Sequence, residues 1–225
     1  MLNEFSKQVP SPKVTRFLKQ LEDDFQYIEN NVGRLAEMGW TIDPDWPFPF
    51  IGEILEFETI NELDEYLYGY FTYNKKVYLK EIFQWLKVDG EEVLSHWNGL
   101  ILDCISSYKK GYYKVCIPSI ISIIEGVMAL RCENKMRSQV IYNYFDSQIE
   151  KYKNDNVNRI IWVSCKSFFS NLFKGHDFNS ERLPLINRHW IEHGRDNCNE
   201  WKEIDAIRLF HALKCIAWVL KKVQM

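Results

Sequence analysis

The sequence predicts an all-α fold, and three observations carry that reading. Only 10 glycines and 7 prolines interrupt 225 residues. Apolar residues recur over long stretches three and four apart, which lays them along one face of a helix. No stretch alternates apolar and polar residues long enough to read as a half-buried strand. With 46% apolar and 26% charged residues, the chain has a globular composition and the length for one sizeable core.

The residues up to Pro12, closing on Pro10-Ser11-Pro12, are expected to be loose. Val14, Phe17, Leu18, Leu21, Phe25, Ile28, Val32, Leu35 and Met38 then mark a first helix that Gly39 closes. Residues 40–57 set Pro44, Pro47, Pro49 and Gly52 among Trp40, Trp46, Phe48 and Phe50. Prolines forbid a regular ladder while the aromatics need burial, so a packed non-helical crossing is expected. Two helices over 59–73 and 75–87 follow, parted near Asn74; the first carries Tyr66, Tyr68, Tyr70 and Phe71, expected in the core rather than as a base-stacking surface. Asp89-Gly90 reads as a turn and as the best domain boundary, dividing a helical extension (residues 1–90) from a helical bundle (residues 91–225). The bundle opens with a helix over 93–108 that turns Trp97, Ile101, Leu102 and Ile105 inward. Lys110-Gly111 makes the next turn, a helix spans 113–130, and serine or threonine punctuation separates 138–151, 157–173 and 181–193. Asn197-x-x-Glu200 has a capping-box pattern for a last helix over 199–223, whose buried stripe is Ile204, Ile207, Phe210, Leu213, Ala217 and Leu220.

Composition excludes several function classes. The longest apolar run, Cys116 to Leu130, is broken by Pro118, two serines and Glu125, and is expected to be too short to span a bilayer. Met1 to Lys7 lacks a charged region leading into an apolar block, so no secretory leader and a cytoplasmic location are expected. Six scattered cysteines without a C-x-x-C pair read as reduced core residues rather than disulfides or zinc ligands. The net charge of −3 argues against a broad duplex-binding surface. Its distribution is uneven: residues 160–225 hold ten Lys/Arg and seven Asp/Glu, with four of the five histidines, so a local site of positive potential is allowed.

The chemistry concentrates in Asn187-Arg188-His189-Trp190-Ile191-Glu192-His193-Gly194. Arginine presents a planar fork that matches a phosphate, and histidine trades protons near neutral pH. Two plainer readings stay open for these residues. Cations near a helix C-terminus favour the helix dipole, with Gly194 as the residue just past the end. His189 and His193, four apart on one face, have a common metal-ligand spacing, although Glu192 faces away and no local spacing nominates His176 as a third donor. His211 lies beside the buried stripe and reads as a satisfied core histidine, and His96 is uninformative.

Arg188-x4-His193 behind an apolar helix resembles the signature of the HEPN superfamily, whose active members cut RNA without metal. The stretch 107–130 is similar too, with Tyr108, Gly111, Tyr112 and Tyr113 at a helical turn and Glu125-Gly126 inside the helix that follows. The position after the arginine is polar in the family, and His189 fits. The resemblance covers about residues 100–220; residues 1–90 resemble only a variable helical extension. It implies a HEPN-like helical bundle and a metal-independent endoribonuclease of toxin or anti-phage defence type. Arg188 and His193 would be catalytic, with His189, Asn187 and Glu125 in support, RNA as substrate, no cofactor and no metal. It also implies a homodimer and an antitoxin protein as partner. Some family toxins are silenced at a tyrosine two residues past the histidine; Arg195 stands there, so that route is not expected. The runner-up is a catalytically silent HEPN module that binds RNA or a protein, or a dimerising scaffold.

RNA cleavage of this kind needs a base for the 2′-hydroxyl proton, charge on the phosphorane, and an acid for the 5′-oxygen. His193 can move protons, Arg188 can hold the phosphate, His189 or Asn187 can orient it, and Glu125 can pair with Arg188 or position His193. Residues five apart on an ideal helix diverge by about 140°. Arg188 and His193 therefore do not share a face, and two copies of the helix at a dimer cleft would bring them together.

Overall fold

The computed structural model describes residues 11–132 and 138–224. They form α1 (Pro12–Glu37), α2 (Phe48–Leu55), α3 (Ile60–Lys87), α4 (Glu91–Leu94), α5 (Asn98–Lys109) and α6 (Tyr113–Arg131), then α7 (Ser138–Lys151), α8 (Asn156–Leu172), α9 (Arg188–Glu192) and α10 (Glu203–Gln224). Single 3-10 turns at Ser95–Trp97 and Cys198–Glu200 complete them, and no strand occurs among the described residues. The all-α class holds. Most of the expected loose leader, residues 1–10, lies outside the described residues; Ser11 and Pro12 open α1, with Ser11 as its N-cap.

Two helices form the centre. In α6, Cys116, Ile117, Ile120, Ile121, Ile123, Ile124, Val127 and Met128 are buried around most of the circumference, because α10 packs on one side and α5 on another. The whole expected stripe of α10 is buried. Contrary to the expectation for residues 116–130, α6 is long and apolar enough to cross a membrane, the one such helix among the described residues; here its apolar faces cover neighbouring helices. Around this pair, α1 lies along α8 and α3 along α10. Trp40, Ile42, Leu63, Leu67 and Phe71 join Ile160, Trp162 and Phe210 in one buried cluster. The core therefore runs unbroken past Asp89-Gly90. Burial of this continuous apolar surface is the dominant favourable term in the fold.

Several elements depart from the sequence reading. Residues 48–55 are helical, with Pro47 as N-cap and Pro49 in the first turn, where a missing N–H has no intrahelical partner to lose. The expected break near Asn74 is absent: α3 runs on as one helix, though Lys76 carries a left-handed φ of 61°. Tyr66 and Tyr70 pack against the core and Phe71 is buried within it, but Tyr68 is exposed. Leu102 points outward and Cys104 inward, because the buried face of α5 runs through Ile101, Cys104, Ile105 and Tyr108. The expected helix over 181–193 shrinks to α9. Pro184 sits mid-stretch and Asn187 caps the helix, so residues 174–187 form an irregular crossing. The last helix starts at Glu203 rather than 199. Asn197 caps only the 3-10 turn, while Asp205 accepts the Lys202 N–H at 2.8 Å to open α10.

Candidate functional site

The site is built on that irregular crossing and the short helix after it. Asn187 is 3% exposed, and its amide is committed at both ends. Oδ1 accepts from the Trp190 N–H at 3.3 Å, and Nδ2 donates to the Lys174 carbonyl at 2.9 Å. Asn187 is thus a cap that fastens α9 to the end of α8, and the phosphate-orienting role read from sequence does not fit it. Trp190 is buried and donates its indole N–H to the His176 carbonyl at 3.2 Å. Gly194, at φ +63°, ends α9 as the sequence reading expects. Beyond it Asp196 accepts from Arg182 at 2.6 Å and from the Trp201 indole at 2.7 Å, fixing the exit of the motif.

Arg188 points at α6. Its Nε and Nη2 engage both oxygens of Glu125 at 2.7–3.1 Å, and Nη2 also meets Glu192 at 2.8 Å. The guanidinium carbon lies 5.9 Å from the Phe173 ring centre. One cation thus stands between two carboxylates, a geometry that fixes the fork firmly. Burial pushes the Glu192 carboxyl above its usual range; Arg188 pulls the other way, and neighbouring Glu125 adds to the rise. The Glu125–Arg188 pairing anticipated in the sequence is therefore present in the structure.

The histidines face elsewhere. The His189 ring stacks on Phe178, with centroids 4.6 Å apart and planes 3° apart. His193 stands edge-on to His189 at 4.8 Å and to Phe178 at 5.6 Å. The Arg195 guanidinium completes the cluster, 5.4 Å from the same phenyl ring. Phe178 is 40% exposed and His193 is exposed, so solvent reaches this face. Phe178 escaped the sequence reading; its one signal is an isolated aromatic in the polar stretch His176-Asp177-Phe178-Asn179-Ser180. Arg188 turns to Glu125 and His193 to His189 and Phe178, while Glu192 lies within the electrostatic reach of both. Among the described residues, no third carboxylate, thiol or imidazole joins His189 and His193 in a metal-binding group.

His211 is a core histidine as read, fully buried, with Nδ1 3.1 Å from the Thr41 hydroxyl and Nε2 3.3 Å from Asp43. Burial holds it below the usual histidine range, outweighing the pull of Asp43. Of the six cysteines, only Cys198 is exposed and none is in a disulfide. The arrangement at α9 can hold a phosphate edge through Arg188 and exchange protons through two accessible imidazoles. No protein-family model, curated protein or solved structure matches the chain, so the functional reading rests on these residues and on the resemblance carried by their motif.

Proposed function

We propose that the chain is a metal-independent endoribonuclease. The observation that carries this reading is the pairing of an anchored guanidinium with two solvent-accessible imidazoles on one short helix. In the step proposed, one imidazole takes the proton of a 2′-hydroxyl, the 2′-oxygen attacks the adjacent phosphorus, and the 5′-oxygen leaves with a proton from a second imidazole. Arg188 holds the phosphorane charge through the part of its fork that Glu125 and Glu192 do not occupy. Glu125 is a positioning residue, since it touches Arg188 and not the reacting atoms. Proton transfer at His193 is worth roughly 10²–10⁴-fold, and the charge on the phosphate a comparable factor. A HEPN-like bundle, RNA as substrate, a homodimer cleft, and a toxin or anti-phage defence setting with an antitoxin partner all follow from the motif's resemblance.

The test is cleavage of single-stranded RNA during brief exposure to EDTA. Activity should persist and leave 2′,3′-cyclic phosphate or 3′-phosphate ends. Abolished cleavage that returns on adding Mg²⁺ would overturn the reading. One observation favours the runner-up, a catalytically silent HEPN module: two carboxylates on Arg188 oppose the approach of a phosphate. On that reading the parent and an Arg188→Ala/His193→Ala double variant are equally inactive, while RNA or a protein partner still binds the parent.

A further inference from the structure

The buried polar groups between the α1–α2 crossing and α10 have a geometry that their hydrogen bonds do not account for. Asp43, His211 and Cys215 each offer one donor atom, and these atoms all lie within 4.8 Å of one another. His211 Nε2 faces both partners: it is 3.3 Å from Asp43 Oδ2 and 3.8 Å from Cys215 Sγ. A charge-assisted N–H···O bond closes to about 2.7–2.9 Å, so 3.3 Å is long for a buried histidine–carboxylate pair. Donor–metal bonds of about 2.0–2.3 Å at tetrahedral angles instead hold neighbouring donors roughly 3.3–3.6 Å apart. The Asp43–His211 separation matches that edge length, and the His211–Cys215 separation is slightly longer. We propose that Asp43, His211 and Cys215 bind one Zn²⁺-class divalent cation, which ties the crossing segment to α10.

The surroundings are those of a ligand set. His211 and Cys215 are four apart on α10, which puts imidazole and thiol on one helical face. The other imidazole nitrogen, Nδ1, meets the Thr41 hydroxyl at 3.1 Å; donating its proton there leaves the Nε2 lone pair for the ion, the usual outer-shell arrangement of a ligating histidine. Asp43 is held as well: Oδ1 accepts from Lys214 at 2.6 Å and from the Asp45 N–H at 2.9 Å, while Oδ2 faces the cluster. Lys214 also pairs with Asp45 at 2.6 Å.

The chemistry of the donors agrees. Cys215 binds as a thiolate, its proton passing to solvent as the ion enters. Thiolate, imidazole and carboxylate together suit zinc rather than magnesium or calcium. A cavity of about 350 Å³, lined by Asp43, Trp46, Phe71 and Lys214 among others, lies on the Asp43 side of the cluster. The sequence hid this site, because its three donors come from Asp43 and from an His-x3-Cys pair inside an apolar stripe, with no C-x-x-C spacing to announce it.

The proposal is independent of the ribonuclease reading. The protein, purified without chelator, is measured for metal content, then stripped and titrated with Co²⁺. One equivalent of zinc per chain is expected, together with a thiolate-to-cobalt charge-transfer band that Cys215→Ser and His211→Gln lose and Cys198→Ser keeps. Should the site variants fail to fold, the parent still decides: chelation should lower its Tm, and Zn²⁺ should restore it. A metal-free parent that shows neither the cobalt band nor a zinc-dependent Tm overturns the site, as does a band unchanged in folded Cys215→Ser.

Discussion

At the scale of single residues, Arg188 does two things that can be pulled apart. Its side chain neutralises Glu125, which is only 16% exposed, and it presents the remaining edge of its fork toward solvent. Arg188→Ala should therefore cost stability, roughly 1–3 kcal/mol for an unpaired, mostly buried carboxylate, as well as cleavage, by about 10²–10³-fold. Adding Glu125→Gln removes the orphaned charge. The double variant should regain most of the lost stability in urea unfolding and none of the activity; joint recovery would place Arg188 outside the chemistry. Arg188→Lys should stay close to the alanine variant in cleavage, because a lysine cannot hold two carboxylate oxygens and a phosphate edge at once. Gly39 offers a purely structural counterpart. It sits at φ +87°, and a Cβ there would fall 2.7 Å from Arg208 Cδ and 2.8 Å from Arg208 Nε. Gly39→Ala should destabilise by about 1–3 kcal/mol in denaturant, through backbone strain and displacement of the buried guanidinium.

At the scale of elements, the third helix and the last are fastened by one carboxylate. Glu203, at the start of α10, accepts from Tyr108 of α5 at 2.5 Å and from Tyr68 of α3 at 2.9 Å, and meets Lys76 at 3.0 Å. Burial alone would raise its pKa; the bonds from Tyr108, Lys76 and Tyr68 outweigh it and bring the carboxyl below its ordinary 4.5. The unfolded chain then binds this proton more readily than the folded one. The resulting stability is fully present above pH 4.5 and drains away as pH falls through the lower folded value. Glu203→Gln should lower Tm at neutral pH, and its gap from the parent should shrink in acid; a gap that stays constant with pH would show that the anion is not what holds the helices. None of this was legible in the chain, since the three partners, on α3 and α5, lie 95 to 135 residues before Glu203. What was legible followed local rules. The stripe of α10, the span of α7 and the Gly39 and Gly194 stops each depend on spacing or on one backbone conformation. α2 and residues 181–187 depart from the sequence pattern because proline acts by position: Pro47 and Pro49 open a helix, while Pro184 prevents one where apolar spacing alone predicts it. Arg188, His189, His193 and Glu125 were found through the motif, whereas Phe178 was found only when folding laid a loop against both imidazoles.

At the scale of the whole molecule, the direction of the motif residues decides what assembly the proposed chemistry requires. Arg188 is turned inward onto Glu125 of α6, while His193 faces Phe178 and solvent. A single chain therefore offers a guanidinium on one side and imidazoles on another, with Glu192 between them. A two-fold axis beside α9 would set the exposed face of one copy against the Arg188 edge of the other, since an isologous interface places the same patch on both subunits. Tryptophan is enriched at interfaces, but Trp190 is buried and Trp201 is half-buried and bonded to Asp196, so neither is free for contact. Phe178 and the His189–His193 pair are the groups left to meet a partner. Charge agrees with this placement, because residues 160–225 carry the basic excess and the rest of the chain the acidic one. The decisive experiment mixes Arg188→Ala and His193→Ala proteins, each inactive alone, after unfolding and refolding them together. If each site takes Arg188 from one chain and His193 from the other, a mixed dimer holds one site with both residues intact and one with neither. Random pairing should then restore roughly a quarter of parental activity, as half the dimers carry half their sites. Sedimentation should show a dimer at micromolar concentration, and Phe178→Ala should weaken it. A monomer that cleaves RNA, or a mixture no more active than its parts, would mean that Arg188 and His193 of one chain act together, and the shared cleft would have to be abandoned.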